Sequence, residues 1–202
     1  QTRASLSPVD IGADAGNFTG VDIFPPSMTF TALSNAASTS NRTLASVTIT
    51  DQTGVPTTGS LQPRIWYRRS APSASSWAST QGSLQSGTGI NGVWNFIIDY
   101  SVLGTPVIGE TYQYYLVAQD GAGTPNIATS PGGGLHTDVN TQTSAPGTPS
   151  SYAIVPGFAG VYTVPGSYPT LTAAGGLFAA INAGALTGNV TVNITADITT
   201  EN

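Results

Sequence analysis

Most of the chain is written in a two-residue rhythm. Three runs carry it most densely: Pro63-Arg64-Ile65-Trp66-Tyr67-Arg68-Arg69, Val93-Trp94-Asn95-Phe96-Ile97-Ile98-Asp99-Tyr100, and Thr111-Tyr112-Gln113-Tyr114-Tyr115-Leu116-Val117-Ala118-Gln119-Asp120. Successive side chains of a strand point to opposite faces, so aromatic and β-branched residues in alternating or unbroken runs predict half-buried and buried strands. In the first run Ile65 and Tyr67 share one face while Trp66 and Arg68 share the other; in the third, Tyr112, Tyr114 and Leu116 oppose Gln113, Tyr115 and Val117. Upstream, Ser27–Leu33 alternates, and so does Leu44–Thr50, with a slip near Ala45 that predicts a β-bulge. Asp51-Gln52-Thr53-Gly54 closes that strand as a turn in which the carboxylate bonds the backbone two residues on. Ser151–Val155 supplies a last strand. Strand signals roughly 10 to 20 residues apart predict an antiparallel sandwich of about seven strands. The long connections Ser70–Gly92 and Gly121–Pro149 break the spacing, and the second is too long for a simple hairpin, so it is expected to hold a short edge strand or an ordered crossing loop.

After Gly157 the rhythm changes. Val161–Val164 reads as a short strand and Tyr168–Leu171 as a turn. Thr172–Ala183 has the one helical period, with Leu177, Phe178 and Ile181 on the face of Ala173 and Ala174. Gly175-Gly176 costs this helix about 1 kcal/mol per residue against Ala, so packing must hold it. Asn189–Thr199 then alternates without fault, setting Val190, Val192, Ile194 and Ile198 on one face. Gly157–Gly160 is expected to be a rigid junction, since Ile154, Val155, Phe158, Val161 and Tyr162 keep an apolar density that solvated linkers lack. Phe158 is expected to be buried between the sandwich and the helix-bearing segment. The expected organisation is an arm or linker at 1–20, a sandwich at 21–156, and a helix-plus-strand segment at 157–202.

Composition narrows the setting. Charged residues are only 7% of the chain, all five basic residues are Arg, and the net charge is -5. Phosphate binding needs clustered cations, so nucleic acid and anionic membrane surfaces are excluded as expected partners. No apolar run approaches the 18 or so residues of a membrane span. Cysteine is absent, which removes disulfides and thiolate metal sites. A Ser/Thr/Gly-rich, charge-poor chain stable without redox help fits an extracellular or cell-surface location.

The succession Ser40–Leu44, Val47–Asp51, Pro63–Tyr67, Trp94–Tyr100 and Gln113–Asp120 resembles the immunoglobulin/fibronectin type III-like module of large secreted surface proteins of the Bacteroidota, many of them type IX secretion substrates. The resemblance covers about residues 22–156. Tyr168–Asn182 is similar to the helical cap and first strand of the right-handed parallel β-helix that commonly follows the module there. It implies an all-β fold, an antiparallel immunoglobulin-like β-sandwich followed by a helix-capped first coil of a solenoid. It brings no shared catalytic residue. One coil of a solenoid cannot bury its own face, so the last strand is expected to meet either further coils or another chain.

The remaining chemistry is sparse. His136 lies in a Gly/Pro loop with Asp138 beside it, but no second His or Cys completes a transition-metal site, and it is expected to be a solvent-exposed loop residue. There is no Gly-x-Ser-x-Gly elbow, and Glu110 and Glu201 are the only glutamates, one in a turn and one at the end, which is a poor start for a glycosidase pair. Asp51 and Asp120, with carbonyls of the Gly121–Asn126 loop, are the candidate Ca²⁺ ligands, set against the reading in which each carboxylate caps its own turn, as Asp99 also can. No other cofactor is expected. Trp77, in a Ser-rich loop, is the candidate contact residue for a partner such as carbohydrate, against tucking under its own loop. The expected function is a noncatalytic structural or adhesive module of a secreted surface protein, with downstream domains or other subunits as partners. Two alternatives stand beside it. One is the subunit of a filament joined by strand addition, with Asn189, Val190, Val192, Ile194 and Ile198, or the Leu6–Ile11 arm, as donor. The other is the accessory module of a β-helix polysaccharide-degrading enzyme.

Overall fold

The computed structural model describes residues 21–199 and 201. In chain order the strands are β1 (Ser27–Thr29), β2 (Arg42–Thr50), β3 (Arg64–Ala71), β4 (Ala78–Gln81), β5 (Ser83–Gly87), β6 (Asn91–Ile98), β7 (Thr111–Gln119), β8 (Ile127–Ser130), β9 (Leu135–Asp138), β10 (Thr141–Ser144), β11 (Ser150–Ala153), β12 (Gly157–Val164) and β13 (Ala185–Ile194). The helix α1 (Leu177–Ala183) separates the last two, and apart from a 3-10 turn at Tyr100–Val102 the other elements among the described residues are strands. One antiparallel sheet runs β1-β2-β6-β5; the other runs β4-β3-β7, and the far edge of β7 is divided between β11 and β8.

The two sheets share one core, because their alternating patterns aim at each other. Leu44, Val47 and Ile49 of β2 and Trp94, Phe96 and Ile98 of β6 meet Ile65 and Tyr67 of β3 and Tyr112, Tyr114, Leu116 and Ala118 of β7. Each of the aliphatic and Phe side chains larger than Ala contributes about 1.5–3 kcal/mol by leaving water. Leu44 and Val47 are three apart and would face opposite sides of a regular strand. The expected bulge resolves this: the β2–β6 register shifts between them, Ser46 takes φ 56°, and its N–H is satisfied by Asn95 Oδ1 at 3.0 Å. The turn after β2 also forms as expected, with Thr53 and Gly54 N–H donating to Asp51 Oδ1 and Gly54 at φ +82°.

Several elements differ from the sequence expectation, and β12 and β13 also start earlier, at Gly157 and Ala185. β1 covers three residues instead of Ser27–Leu33, because the chain leaves this sheet early: Leu33 N–H donates to the Tyr114 hydroxyl and Ala36 bridges Ile154 beyond β11. The two long connections contain five short strands, β4 and β5 in one and β8, β9 and β10 in the other. α1 starts at Leu177 and not Thr172, since Gly175 sits at φ +80° and Gly176 takes extended backbone at the N-cap. β13 ends at Ile194, and Ile198 lies outside the strand. There the chain turns back over the preceding segment, with Thr195 N–H donating to Val164 O and Glu201 accepting from the N–H groups of Leu171 and Thr172.

β12 and β13 form a parallel pair in which Val164 meets Ile194, thirty positions on. Phe158 is buried as expected, but it packs within this segment, against Tyr162 and in the space a side chain at Gly184 would need. A backbone bond ties the segment to the end of the sandwich, Ala185 N–H to Pro156 O at 2.9 Å, next to Val155, whose N–H is held by Ala36 O at 2.9 Å. Gly157–Gly160 is therefore strand, not linker. The Leu6–Ile11 arm lies outside the described residues.

Candidate functional site

Three carboxylates meet at one end of the sandwich. Asp51 follows β2, Asp120 follows β7, and Asp22 precedes β1; oxygens of all three lie within 4.8 Å of one another. The two loops are joined by Gly121 N–H donating to Gly54 O at 2.8 Å, which is what brings Asp51 and Asp120 together. Asp22 is added by Asn126, whose side-chain amide donates to Asp22 O and to Asp120 Oδ2. Asp22 and Asp120 are buried, Asp120 with 1% exposure. Each carboxylate also closes its own turn, Asp22 on Phe24 N–H, Asp51 on Thr53 and Gly54, Asp120 on Ala122 and Asn126. The Thr53 hydroxyl, with one proton, stands 3.0 Å from Asp22 Oδ2 and 3.1 Å from Asp51 Oδ1. Among the described residues the one ion pair is Arg69–Glu110, so no described side-chain cation pairs directly with these carboxylates. At an effective dielectric of about 20, two carboxylates at such a separation repel by about 3 kcal/mol. Oxygen-only donors of this kind suit a hard cation such as Ca²⁺. Asp51 and Asp120 were legible as strand-closing aspartates; Asp22 was not, because nothing local ties the lead-in segment to loops 29 and 98 positions away.

The second cluster covers the outer face of β3 and β7. The β9–β10 hairpin folds over it, burying Tyr115, Val117 and Val139 with Trp66 and Trp77 packed around them. Trp66 Nε1–H donates to Val139 O at 3.1 Å, and Val139 N–H donates to Gln119 Oε1. Trp77 meets Tyr115 edge-on at 5.0 Å, and the Arg68 guanidinium lies 4.7 Å over its ring. It is half-buried on the sheet, which fits tucking better than presentation. His136 corrects the sequence expectation. It is half-buried on β9, its ring packed edge-on against Trp66 and Tyr115. Burial pushes its pKa down, against a smaller upward pull from the Asp138 backbone and carboxylate. The signal that could have found it is the rest of β7: Tyr115 and Val117 point away from the core, and two outward apolar side chains need a cover.

Glu110 and Asp99 are held in structural roles. Glu110 is buried and accepts from Arg69 Nη1 at 3.0 Å, Tyr112 Oη at 2.6 Å and Val107 N at 3.1 Å. Burial alone would raise its pKa; Tyr112, Val107 and Arg69 together outweigh that and hold the carboxyl below its usual range. Asp99 caps the short 3-10 turn at Tyr100–Val102, and the Ser101 N–H draws its pKa down. Of the donor-strand residues, Asn189, Val190, Val192 and Ile194 lie on β13, whose other edge meets no strand among the described residues, and Ile198 does not. No helix among the described residues is long and apolar enough to cross a membrane. Comparison with protein-family models, curated proteins and solved structures gives no match.

Proposed function

We propose that the chain is a noncatalytic structural or adhesive module of a secreted bacterial cell-surface protein, an immunoglobulin/fibronectin-like sandwich leading into the first coil of a parallel solenoid. The strand orders β1-β2-β6-β5 and β4-β3-β7 with β8 and β11 favour the sandwich type. One observation carries the solenoid reading. Val164 is fully buried beneath the second rung, whereas its partner Ile194, one rung later, is 60% exposed, as the last strand of an uncovered stack must be. Thr195 and Glu201 already rest on Val164, Leu171 and Thr172, so the chain is climbing onto its own first coil. The test is the coding sequence after Asn202 together with the mass of the native product. Repeats of about thirty residues with apolar positions stacking on Val190, Val192 and Ile194 are expected; a stop codon there would favour the filament reading, in which β13 pairs with a strand of another subunit.

The convergence of Asp22, Asp51 and Asp120 favours a second element of this reading, a structural Ca²⁺ at the end where the N-terminal segment enters. Thermal unfolding in millimolar CaCl₂ and in chelator checks it. A rise in Tm that Asp120→Asn abolishes is expected, and equal melting in both conditions would leave the aspartates as turn formers only.

A further inference from the structure

We propose that His136 is an acid-sensitive latch: taking up a proton releases the β9–β10 hairpin from the outer face of the sheet and uncovers Trp66 and Tyr115. The argument starts from proton counting. The Gln142 side-chain amide donates to the Tyr115 hydroxyl at 2.6 Å, which leaves the Tyr115 proton free for the neutral His136 Nε2, 3.1 Å away. Nε2 is then the acceptor, and the neutral ring carries its proton on Nδ1, which is buried and makes no well-formed hydrogen bond, the Asp138 backbone giving only a weak pull. A second proton has only Nε2 to go to. There it ends the O–H···N bond, since Nε2 can no longer accept, forces the Tyr115 hydroxyl to turn, and puts a full charge between the Trp66 and Tyr115 rings.

Val139 at the turn anchors the hairpin, buried and bonded to Trp66 and Gln119, but the paired strands themselves are weakly held. Its strands are four residues each, and their register slips twice. The charged groups around the latch are few. On its own element Asp138 favours the imidazolium; from β3, Arg64 faces Asp138, and Arg68 is engaged with Trp77 and Gln113; β7 offers only the Tyr115 phenol, and β10 no charge beside Gln142. Burial dominates this balance, so the neutral imidazole belongs to the closed hairpin. The sign follows. With the folded-state pKa below that of a free imidazole, about 6.5, closure is fully supported above that pH and is lost as pH falls from it through the folded value.

The experiment is hydrogen exchange between pH 7.5 and 4.5, corrected for intrinsic rates, with tryptophan emission read in parallel. Amides of Leu135–Ser144 are expected to exchange on the order of tenfold faster at the acid end, equivalent to about 1.4 kcal/mol, while β2 and β6 keep their protection. Emission from Trp66 is expected to shift to the red. His136→Gln, uncharged at every pH and able to accept from Tyr115, should abolish the transition, and Asp138→Asn should leave it. Protection unchanged down to pH 4.5, or the same transition in His136→Gln, would overturn the latch; if His136→Gln folds poorly, the ring-proton NMR titration of wild-type His136 against hairpin exchange decides, since the two midpoints must coincide.

Discussion

Replacing Glu110 by Gln keeps the side chain's volume and removes one charge, and the surroundings of Glu110 let the cost be worked out. The carboxylate has acceptor oxygens only, and it meets three donors: Arg69 Nη1, Tyr112 Oη and Val107 N. An amide offers one oxygen. Turned toward Val107 and Tyr112 it points its NH₂ at the Arg69 guanidinium; turned toward Arg69 it points NH₂ at the Val107 N–H. Either way one charged hydrogen bond is lost and two donors face each other in a site where Glu110 is 5% exposed. Hydrogen bonds to charged groups are worth about 1.5–3 kcal/mol, so the loss expected at pH 7 is about 2–3 kcal/mol, or roughly 5–10 °C in Tm for a domain of this size. The pH dependence has a fixed sign. The Glu110 carboxyl is held below its usual range, so its contribution is fully present above the unfolded value, about 4.3, and disappears as pH falls through the folded one. Urea unfolding followed by tryptophan emission, at pH 7 and again near pH 3, should show the gap between wild type and Glu110→Gln closing with acid. Equal stability of the two at pH 7, or a gap that does not change with pH, would refute the reasoning.

Two further substitutions probe the packing. A Cβ at Gly82 would stand 2.4 Å from the Phe96 ring, which is fully buried and has nowhere to move, so Gly82→Ala is expected to cost about 1–3 kcal/mol in urea unfolding. Phe158→Ala empties the space between Tyr162 and Gly184 and is expected to cost the C-terminal segment about 3 kcal/mol. Limited proteolysis should then cut between Gly157 and Ile194 well before the sandwich, and unchanged cleavage there would mean that Phe158 holds nothing together.

What the sequence determined is what the backbone decides locally. Alternation set the faces of β3 and β7, because the side-chain period of a strand does not depend on what lies above it. The slip at Ala45 was readable as a bulge, since Leu44 and Val47 cannot otherwise share a face, and Asp51 as a turn former, since its carboxylate bonds only two and three residues on. The boundaries that moved were set by contacts the sequence does not display. β1 is cut short by a crossing to Ile154, and Ile198 keeps the parity of β13 but lies past the turn that carries Glu201 onto Leu171 and Thr172. In the two clusters of chemical interest Asp51 and Asp120 were legible, and the rest was decided by tertiary structure. Asp22 joins Asp51 and Asp120 because Asn126, on the Asp120 loop, holds its backbone and Thr53, on the Asp51 loop, its carboxylate, and His136 leaves solvent because its hairpin covers a face of β7 that neither sheet of the sandwich could bury. A strand pattern says that two faces exist and which residues lie on each; what covers the second face is fixed by where distant loops find room to fold back.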